Sequence, residues 1–560
     1  MGTKDKKRST DKLYVIPLGG IGEIGKNMFC VQYDQEIIVL DAGLKFPEEE
    51  MLGVDLVIPD ITYLIENKDK IKGIFLSHGH EDHIGALPFI LQKIKVPIYG
   101  TRLTLGLLKI KLEEARLLDE TTLYEIKPED EIVIGSFKVS FFTTNHSIPD
   151  SVGIVLKTPV GNVVYTSDFK FDHTPVQGKI TDFHTLAEIG REGVLVALSD
   201  STNAERPGYT HSEQGVGESL KDIFLSSEGR IIIVTFASNV NRIQQIVNAA
   251  SYSGKKIAVD GRSMVNVVEI AHKLGYLHIP PGTLIEVDEI KKFPQNQVVL
   301  LTTGTQGEPM SALTRLANAN HRKLEIITGD TVVIAATSIP GNEKLVFRTI
   351  DNLFRRGAKV VYENNSGIHV SGHGSQEELK LMLNLLRPRY LIPVHGEYRH
   401  LIHHAKLAEN LGMNRENIFI VENGTVMEFT STQARVSTTV QAGGIFVDGL
   451  GVGDVGSIVL RDRQVLSKDG IFIVVVTIDN VENKIVSGPD LVSRGFVYIK
   501  ESEELLDEAK ENVKKVIEGL MIKKVTNWPT IKNSIKDSVS KFLWEKTGRR
   551  PMILPIIMEV

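Results

Sequence analysis

A chain of 560 residues is too long for one hydrophobic core, which rarely grows past about 250–300 residues, so several domains are expected. With 42% hydrophobic and 24% charged residues it can bury such cores, and its net charge of −6 excludes a global field that attracts nucleic acid. The single cysteine, Cys30, excludes an internal disulfide framework and any cysteine-based zinc site.

Met1 to Lys12 is rich in Lys and Thr and has no apolar segment of the signal-peptide kind, so it reads as a disordered basic tail. No apolar stretch is long enough to span a bilayer, and a cytoplasmic protein is expected. Leu13 to Leu18 reads as a strand, followed by the glycine run Gly19-Gly20-Ile21-Gly22-Glu23-Ile24-Gly25-Lys26-Asn27. Gly20, Gly22 and Gly25 have the dinucleotide spacing, and Gly20 to Lys26 has most of a P-loop, but Asn27 stands where the Mg²⁺-binding Ser or Thr belongs. Both motifs need a helix next. The residues that follow, Met28 to Tyr33 and Glu36 to Leu40, read instead as a hairpin of strands, so the glycines are expected to form a strand-to-strand turn. Asp41-Ala42-Gly43 ends a buried strand, where Asp41 suits either a turn or a hydrogen bond to a ligand imidazole.

The chain then reaches His78-Gly79-His80-Glu81-Asp82-His83, directly after the apolar run Ile74-Phe75-Leu76. Three imidazoles and a carboxylate that can bind fall within six residues, although the whole chain has only 16 His. Imidazole and carboxylate hold Zn²⁺ or Mn²⁺. Residues two apart in an extended segment point the same way, so His78 and His80 can share one ion, while Asp82 and His83 can address a second. The plain alternative is a polar loop of solvated histidines.

A helix is expected from Ala86 to Lys93, a strand at Pro97 to Gly100 and a helix from Thr104 to about Leu118. Strands Glu131 to Ile134 and Phe137 to Thr143 lead to His146, Asn162 to Thr166 leads to Asp168, and Gly193 to Leu198 leads to Asp200. A strand thus repeatedly delivers a His or Asp at its C-terminal end. From about His211 the pattern becomes regular alternation: strand Ile231 to Phe236, helix Val240 to Ala250, strand Lys256 to Val259, helix Val265 to Leu274 and strand Val298 to Leu301. A Gly-rich loop (Thr303 to Pro309) and strand Val332 to Ala335 follow, and the series predicts a parallel sheet. His369-Val370-Ser371-Gly372-His373-Gly374 closes it, then helix Glu377 to Leu386 and strand Tyr390 to Val394, which ends at His395. Leu450 to about Val465 reads as a linker. A last α/β unit has strand Gly470 to Val476, Arg494 to Tyr498, helices Ser502 to Leu520 and Ile531 to Glu545, and strand Met552 to Ile557.

The set His78, His80, Asp82, His83, His146, Asp168 and His395 resembles the metallo-β-lactamase motif series, and Asp200, His373 and His395 resemble the extra motifs of its β-CASP branch, which acts on nucleic acids. Together with the glycine start, Gly304 to Pro309, His369 to His373 and the C-terminal unit, the chain resembles ribonuclease J over essentially its whole length. The fold implied is an αββα metallo-β-lactamase sandwich with an inserted β-CASP α/β domain and a small C-terminal α/β domain. The segments expected are 1–12 tail, 13–210 and 373–449 sandwich, 211–372 insert, 450–466 linker and 467–560 assembly domain.

The resemblance also implies roles. His78, His80 and His146 would hold one divalent ion, Asp82, His83 and His395 the other, and Asp168 would bridge them, with Zn²⁺ or Mn²⁺ as the candidates. Asp41 and Asp200 would orient ligands, and His373 would assist the leaving oxygen, so that His373, Asp82 and Asp200 form the catalytic set. The activity implied is a ribonuclease with 5′-to-3′ exonuclease action on 5′-monophosphorylated RNA and endonuclease action. Ser238, Asn239, His369, Val370, Ser371, Gly372 and His373 would bind the substrate. Asn239 and Ser238 also suit a helix N-cap before Val240. Gly53, Asp55 and Asp448 are implied as a site for a structural Ca²⁺, against the reading of two solvated loop acids. RNA, a homodimer or homotetramer, a paralogue and other RNA-decay proteins are the partners implied. The rival readings are a small-molecule hydrolase of the same fold, which needs no insert of this size, and a non-catalytic RNA-binding subunit, which would show eroded ligands.

Overall fold

The β-branched runs Leu13–Gly19, Met28–Tyr33 and Glu36–Leu40 pair antiparallel in register, with Val15 opposite Val31 and Cys30 opposite Val39. They form part of an eight-stranded sheet in this computed structural model. The structure describes residues 11–177, 179–305, 311–336, 343–362, 367–479, 482, 484–496, 503–523, 525 and 527–560. The glycine run joins strand to strand, as expected, and no helix follows it. Lys26 is buried with φ +54°, and its ammonium bonds the Glu23 carboxylate at 2.8 Å and the Gly443 carbonyl at 3.3 Å, so it serves the fold and not a phosphate.

A second, six-stranded sheet contains Glu131–Ile134, Phe137–Thr143, Val152–Lys157, Asn162–Tyr165, Val196–Asp200 and Tyr390–Val394. The two sheets share one core: Leu13, Phe29 and Ile38 pack with Phe141, Ile154, Tyr165, Leu198 and Ile392. The second sheet's other face is covered by Leu186, Leu379 and Met382 from helices Phe183–Glu192 and Gln376–Leu386, with Ala405 and Ala408 from Tyr398–Asn410. Each fully buried aliphatic or Phe side chain contributes about 1.5–3 kcal/mol. The result is the expected αββα sandwich.

Val196–Asp200 and Tyr390–Val394 are parallel neighbours, although the whole inserted domain lies between them in the chain. That excursion builds a parallel six-stranded sheet ordered Leu284–Ile285, Lys256–Val259, Val298–Thr302, Ile231–Val234, Thr331–Ile334, Lys359–Val361. Ile231–Val234 is buried throughout, as a parallel strand covered on both faces must be. Helices Gln214–Ser226, Ala312–Ala317 and Glu343–Arg355 and strand Lys359–Val361 extend the expected series. Residues 306–309 of the Gly-rich loop lie outside the described residues.

Three expectations are corrected. The helix expected over Ala86 to Lys93 is a single turn, Leu87–Ile90, with Pro88 in it, and a separate turn, Glu81–Ile84, precedes it. The helix expected from Thr104 to Leu118 runs Arg102–Glu114. The linker expected over 450–466 contains most of a helix, Ser457–Asp469, between Gly456 and Gly470. That helix buries no side chain and leaves Ile458, Val459 and Leu466 exposed.

The chain divides into two compact units, Met1–Phe46 with Leu56–Ile445, and Pro47–Asp55 with Phe446–Val560. The second unit therefore begins before the expected position 467. It contains strands Lys484–Arg494, Ile471–Asp479 and Met552–Glu559. Phe472, Val474, Val476 and Ile478 alternate along the middle strand and pack against Val513 and Ile517 of Glu503–Ile522 and Ile535 and Val539 of Trp528–Thr547. Val497 and Tyr498, read as part of this unit, lie outside the described residues, as do residues 1–10 of the expected tail. Lys12 is ion-paired with Glu428 at 3.0 Å. Among the described residues no helix is long and apolar enough to cross a membrane.

Cys30 is wholly buried in the first sheet, and burial pushes its thiol far above the usual range. The thiolate is the reactive form. In the folded chain Cys30 should therefore resist iodoacetamide, and its labelling rate should match the rate of global unfolding in a denaturant series.

Candidate metal centre

The hexapeptide is held from beneath by backbone. Strand Ile71–Phe75 ends, and the Ser77 N–H and hydroxyl both donate to the Asp41 carboxylate at 2.8 Å. His80 is the residue before the turn Glu81–Ile84. Ala42 N–H donates to the His83 carbonyl at 2.8 Å, and Asn27 N–H to the Asp82 carbonyl at 3.0 Å. Gly43 leaves room for this approach, since a Cβ there would lie 1.6 Å from the Asp82 carbonyl oxygen. At the other end of the glycine run, His395 N–H donates to the Gly20 carbonyl at 2.7 Å. The run that imitates a nucleotide motif is thus the floor of the site. Asp41, Ser167 and His395 have φ of +58°, +52° and +52°, left-handed conformations that non-glycine residues adopt at a cost of about 1–3 kcal/mol and that cluster at functional sites.

Strand ends deliver the ligands. Among the described residues, His78, His80, His146 and Asp168 form one group whose ligand atoms all lie within 4.8 Å, and Asp82, His83, Asp168 and His395 form a second. Asp168 belongs to both. Its Oδ2 lies 3.7 Å from His78 Nε2, 3.6 Å from His146 Nε2 and 3.3 Å from His83 Nε2, and its Oδ1 lies 2.8 Å from His395 Nδ1. The site fits divalent ions on its own chemistry. His78 Nε2 is buried and makes no hydrogen bond, a loss that coordination would remove. Burial lowers His78 and His146 well below the usual imidazole range and His80 to about 4, which keeps their lone pairs available. At the second group burial works the same way but is overcome: Asp168 and Asp82 raise His83, and they raise His395 to about 10.

A third group comprises Asp168, Asp200, His373 and His395. His373 Nδ1 lies 2.8 Å from Asp200 Oδ2 and its Nε2 3.9 Å from Asp168 Oδ2. Burial opposes the charge on His373, but Asp200 and Asp168 raise its pKa. Thr202 fixes Asp200 by donating its N–H at 3.0 Å and its hydroxyl at 2.8 Å.

Comparison with known proteins follows this geometry. Residues 21–206 match the model of the metallo-beta-lactamase superfamily, 228–353 that of the ribonuclease J beta-CASP domain, 357–421 that of the Zn-dependent metallo-hydrolase RNA specificity domain, and 458–560 that of the ribonuclease J C-terminal domain. Over 555 residues the chain is 51% identical to Ribonuclease J2 of Bacillus subtilis, covering 99% of this chain and 100% of the relative. The chain belongs to the ribonuclease J family. It is a metal-dependent, hydrolytic ribonuclease. Ribonuclease J 2 of Staphylococcus epidermidis is 46% identical over 555 residues, 99% of each chain. A crystal structure of a protein of unknown function from Enterococcus faecalis, 17% identical, shares the fold at a TM-score of 0.52 over 75% of this chain and 100% of its own.

Every residue expected from sequence to be a metal ligand belongs to one of these groups. The outer supports were only partly foreseen. Asp41 Oδ2 lies 2.7 Å from His83 Nδ1 and also accepts the Tyr165 hydroxyl at 2.8 Å. Asn203 was not anticipated. Its amide donates at 2.8 Å to both the Ser371 hydroxyl and the His373 carbonyl. The nearest signal was its place three residues after Asp200. Of the expected substrate residues, Asn239 caps helix Val240–Tyr252 by accepting Arg242 N–H at 3.0 Å. Gly372 turns its carbonyl to His146 Nδ1 at 2.8 Å. His369, Val370, Ser371 and Ser238 are partly exposed. In the second unit Gly53, Asp55 and Asp448 come together around Arg463. Asp55 accepts Gly449 N–H at 2.8 Å, and the Arg463 guanidinium reaches Asp448 Oδ2 at 2.5 Å and the Leu52 carbonyl at 2.9 Å.

Because Asp41 orients His83 and touches no ligand of the first group except through Ser77, Asp41→Asn should weaken one ion by about 10–100-fold and leave the other nearly unchanged. Calorimetric titration of the metal-free protein with Mn²⁺ resolves the two.

Proposed function

We propose that this ribonuclease digests RNA from a 5′-monophosphate end and also cuts internally, and that its site residues act as follows. The observation that carries the reading is Asp168 shared between two ligand groups. His78, His80 and His146 hold one ion and Asp82, His83 and His395 the other. Two divalent ions, Zn²⁺ or Mn²⁺, supply there the positive charge that acidifies water and offsets the charge building on phosphorus. His373, whose pKa Asp200 and Asp168 raise against the effect of burial, would donate a proton to the leaving oxygen. Asp41, itself held by Ser77 and Tyr165, accepts from His83 Nδ1 and so leaves the lone pair on Nε2, which the Asn27 amide meets at 3.2 Å.

The 5′ phosphate is received by the N–H groups of Ser371 and Gly372, the Ser238 hydroxyl and the Asn239 amide. Two observations support this. The Ser371–Gly372 segment and the first turn of helix Val240–Tyr252 both touch His146, so they flank one side of the ions. The neighbourhood is also cationic: burial, then the charges of Arg242, Arg206 and Lys170, lower the His369 imidazole to about 3. A monophosphate carries nearly two negative charges at neutral pH and suits such a place. The second unit supports self-association, since the sheet face opposite its helices exposes Leu554, Ile556 and Met558 at 44%, 41% and 49%. A structural Ca²⁺ bound by Asp55 and Asp448 would have to share Asp448 with Arg463.

His80→Ala should abolish cleavage of every RNA while the circular-dichroism spectrum stays that of the wild type. Ser238→Glu puts a carboxylate where the phosphate is received and spares the Asn203–Ser371 bond. It should slow decay of linear 5′-monophosphorylated RNA by about tenfold or more, the effect of losing roughly 1.5–3 kcal/mol of charged hydrogen bonding. Cleavage of circular RNA should change little. Equal losses on both substrates would place the phosphate elsewhere.

For assembly, the pair Ile556→Glu and Met558→Glu should yield a smaller species in sedimentation velocity. An unchanged sedimentation coefficient would assign self-association to another surface.

A further inference from the structure

We propose that the inserted domain is part of the first metal position: Gly372 and Asn241 position His146, so that seating of the return segment 367–374 and occupancy of the His78–His80–His146 position are one linked equilibrium. The inference rests on the two-ion reading and extends it.

The three imidazoles of the hexapeptide take their outer partners within the sandwich. His83 Nδ1 meets Asp41, His78 Nδ1 lies 3.1 Å from the Ser77 hydroxyl, and His80 Nε2 lies 3.3 Å from the Ser147 hydroxyl. His146 differs. Its Nδ1 lies 2.8 Å from the Gly372 carbonyl, on the segment by which the chain returns from the insert. A carbonyl can only accept, so Nδ1 carries the hydrogen and Nε2 carries the lone pair. Nε2 is the atom that faces His80 Nδ1, at 3.1 Å. The backbone of His146 is gripped as well, since its carbonyl accepts the Asn241 amide at 3.2 Å from helix Val240–Tyr252 of the insert.

Residue 372 must be glycine for want of room. A Cβ there would lie 2.6 Å from His146 Cε1 and 2.7 Å from Nδ1. The segment itself is pinned from both domains. Arg242 donates to the Ile368 carbonyl at 3.0 Å, Asn203 and Thr210 each donate to the His373 carbonyl at 2.8 Å, and Gly374 N–H donates to the Phe169 carbonyl at 2.7 Å. An ion that needs His146 in this orientation binds the seated segment better than the unseated one. It must therefore shift the segment toward the seated state, and the seated segment must raise affinity for that ion by the same factor. The segment also carries Ser371 and His373, so ion binding prepares the place where the RNA end and leaving oxygen are handled.

The test uses the full chain and Mn²⁺ alone. In calorimetric titration of the metal-free protein, Gly372→Ala should weaken one of two binding events by about 10–100-fold and leave the other unchanged. Asn241→Ala, which pushes nothing aside and should fold normally, should weaken the same event by a smaller factor. In a His80→Ala background, which already cripples the first position, the remaining event should be insensitive to Gly372→Ala. Amide exchange over 367–374 in the wild type should slow when Mn²⁺ is added, and this response should vanish in His80→Ala. Wild-type affinities for both ions in Asn241→Ala and Gly372→Ala would overturn the proposal. So would exchange over 367–374 that ignores Mn²⁺, or equal weakening of both events. None of these readouts involves RNA, so a failure here is distinct from a failure of the 5′-end reading.

Discussion

The structure depends on concentrating imidazoles and carboxylates around one buried carboxylate, Asp168. His78, His83, His146 and His395 each bring a ring nitrogen within 2.8–3.7 Å of its oxygens, in a place from which water is largely excluded. Leaving such groups unpaired is costly, and divalent cations are what their arrangement accommodates. The strained backbone at Asp41, Ser167 and His395 follows from the same demand, because each lies where a strand must turn sharply to present its side chain.

The second constraint is topological. His395 reaches a site built mainly by the first part of the sandwich because Tyr390–Val394 pairs in parallel with Val196–Asp200. That pairing sets Asp200 opposite Val394, and so puts Asp200 and His395 side by side at one sheet end. The six-stranded parallel sheet inserted between these strands leaves their pairing intact. The return segment meets His146 through the Gly372 carbonyl and brings His373 to Asp200, so that a third group of imidazoles and carboxylates adjoins the first two.

Much of this was legible beforehand. The strands around the site are β-branched runs whose ends coincide with the ligands, and Glu131–Ile134, Phe137–Thr143, Lys256–Val259 and Tyr390–Val394 occur where the pattern puts them. The helix Ser457–Asp469 was read as a linker, because the glycines Gly451, Gly453 and Gly456 and the charged residues Arg461, Asp462 and Arg463 outweighed its apolar residues Ile458, Val459, Leu460, Val465 and Leu466. The edge-like strand Lys484–Arg494 was missed for a similar reason, with Val486 and Val492 spaced among polar residues.

By itself the sequence singled out the hexapeptide as a candidate ion-binding segment, since local spacing in an extended segment is a property of the chain, and the family resemblance added His146, Asp168 and His395. Composition and pattern also determined the parallel insert and its place in the order of domains. Only the tertiary structure decided which groups hold those ligands. Asn203 finds Ser371 and His373 across more than 160 residues of chain, and Gly372 meets His146 through a backbone carbonyl. Every residue has a carbonyl, so no spacing in the sequence can single out the one that is used. The packing that brings it there does so.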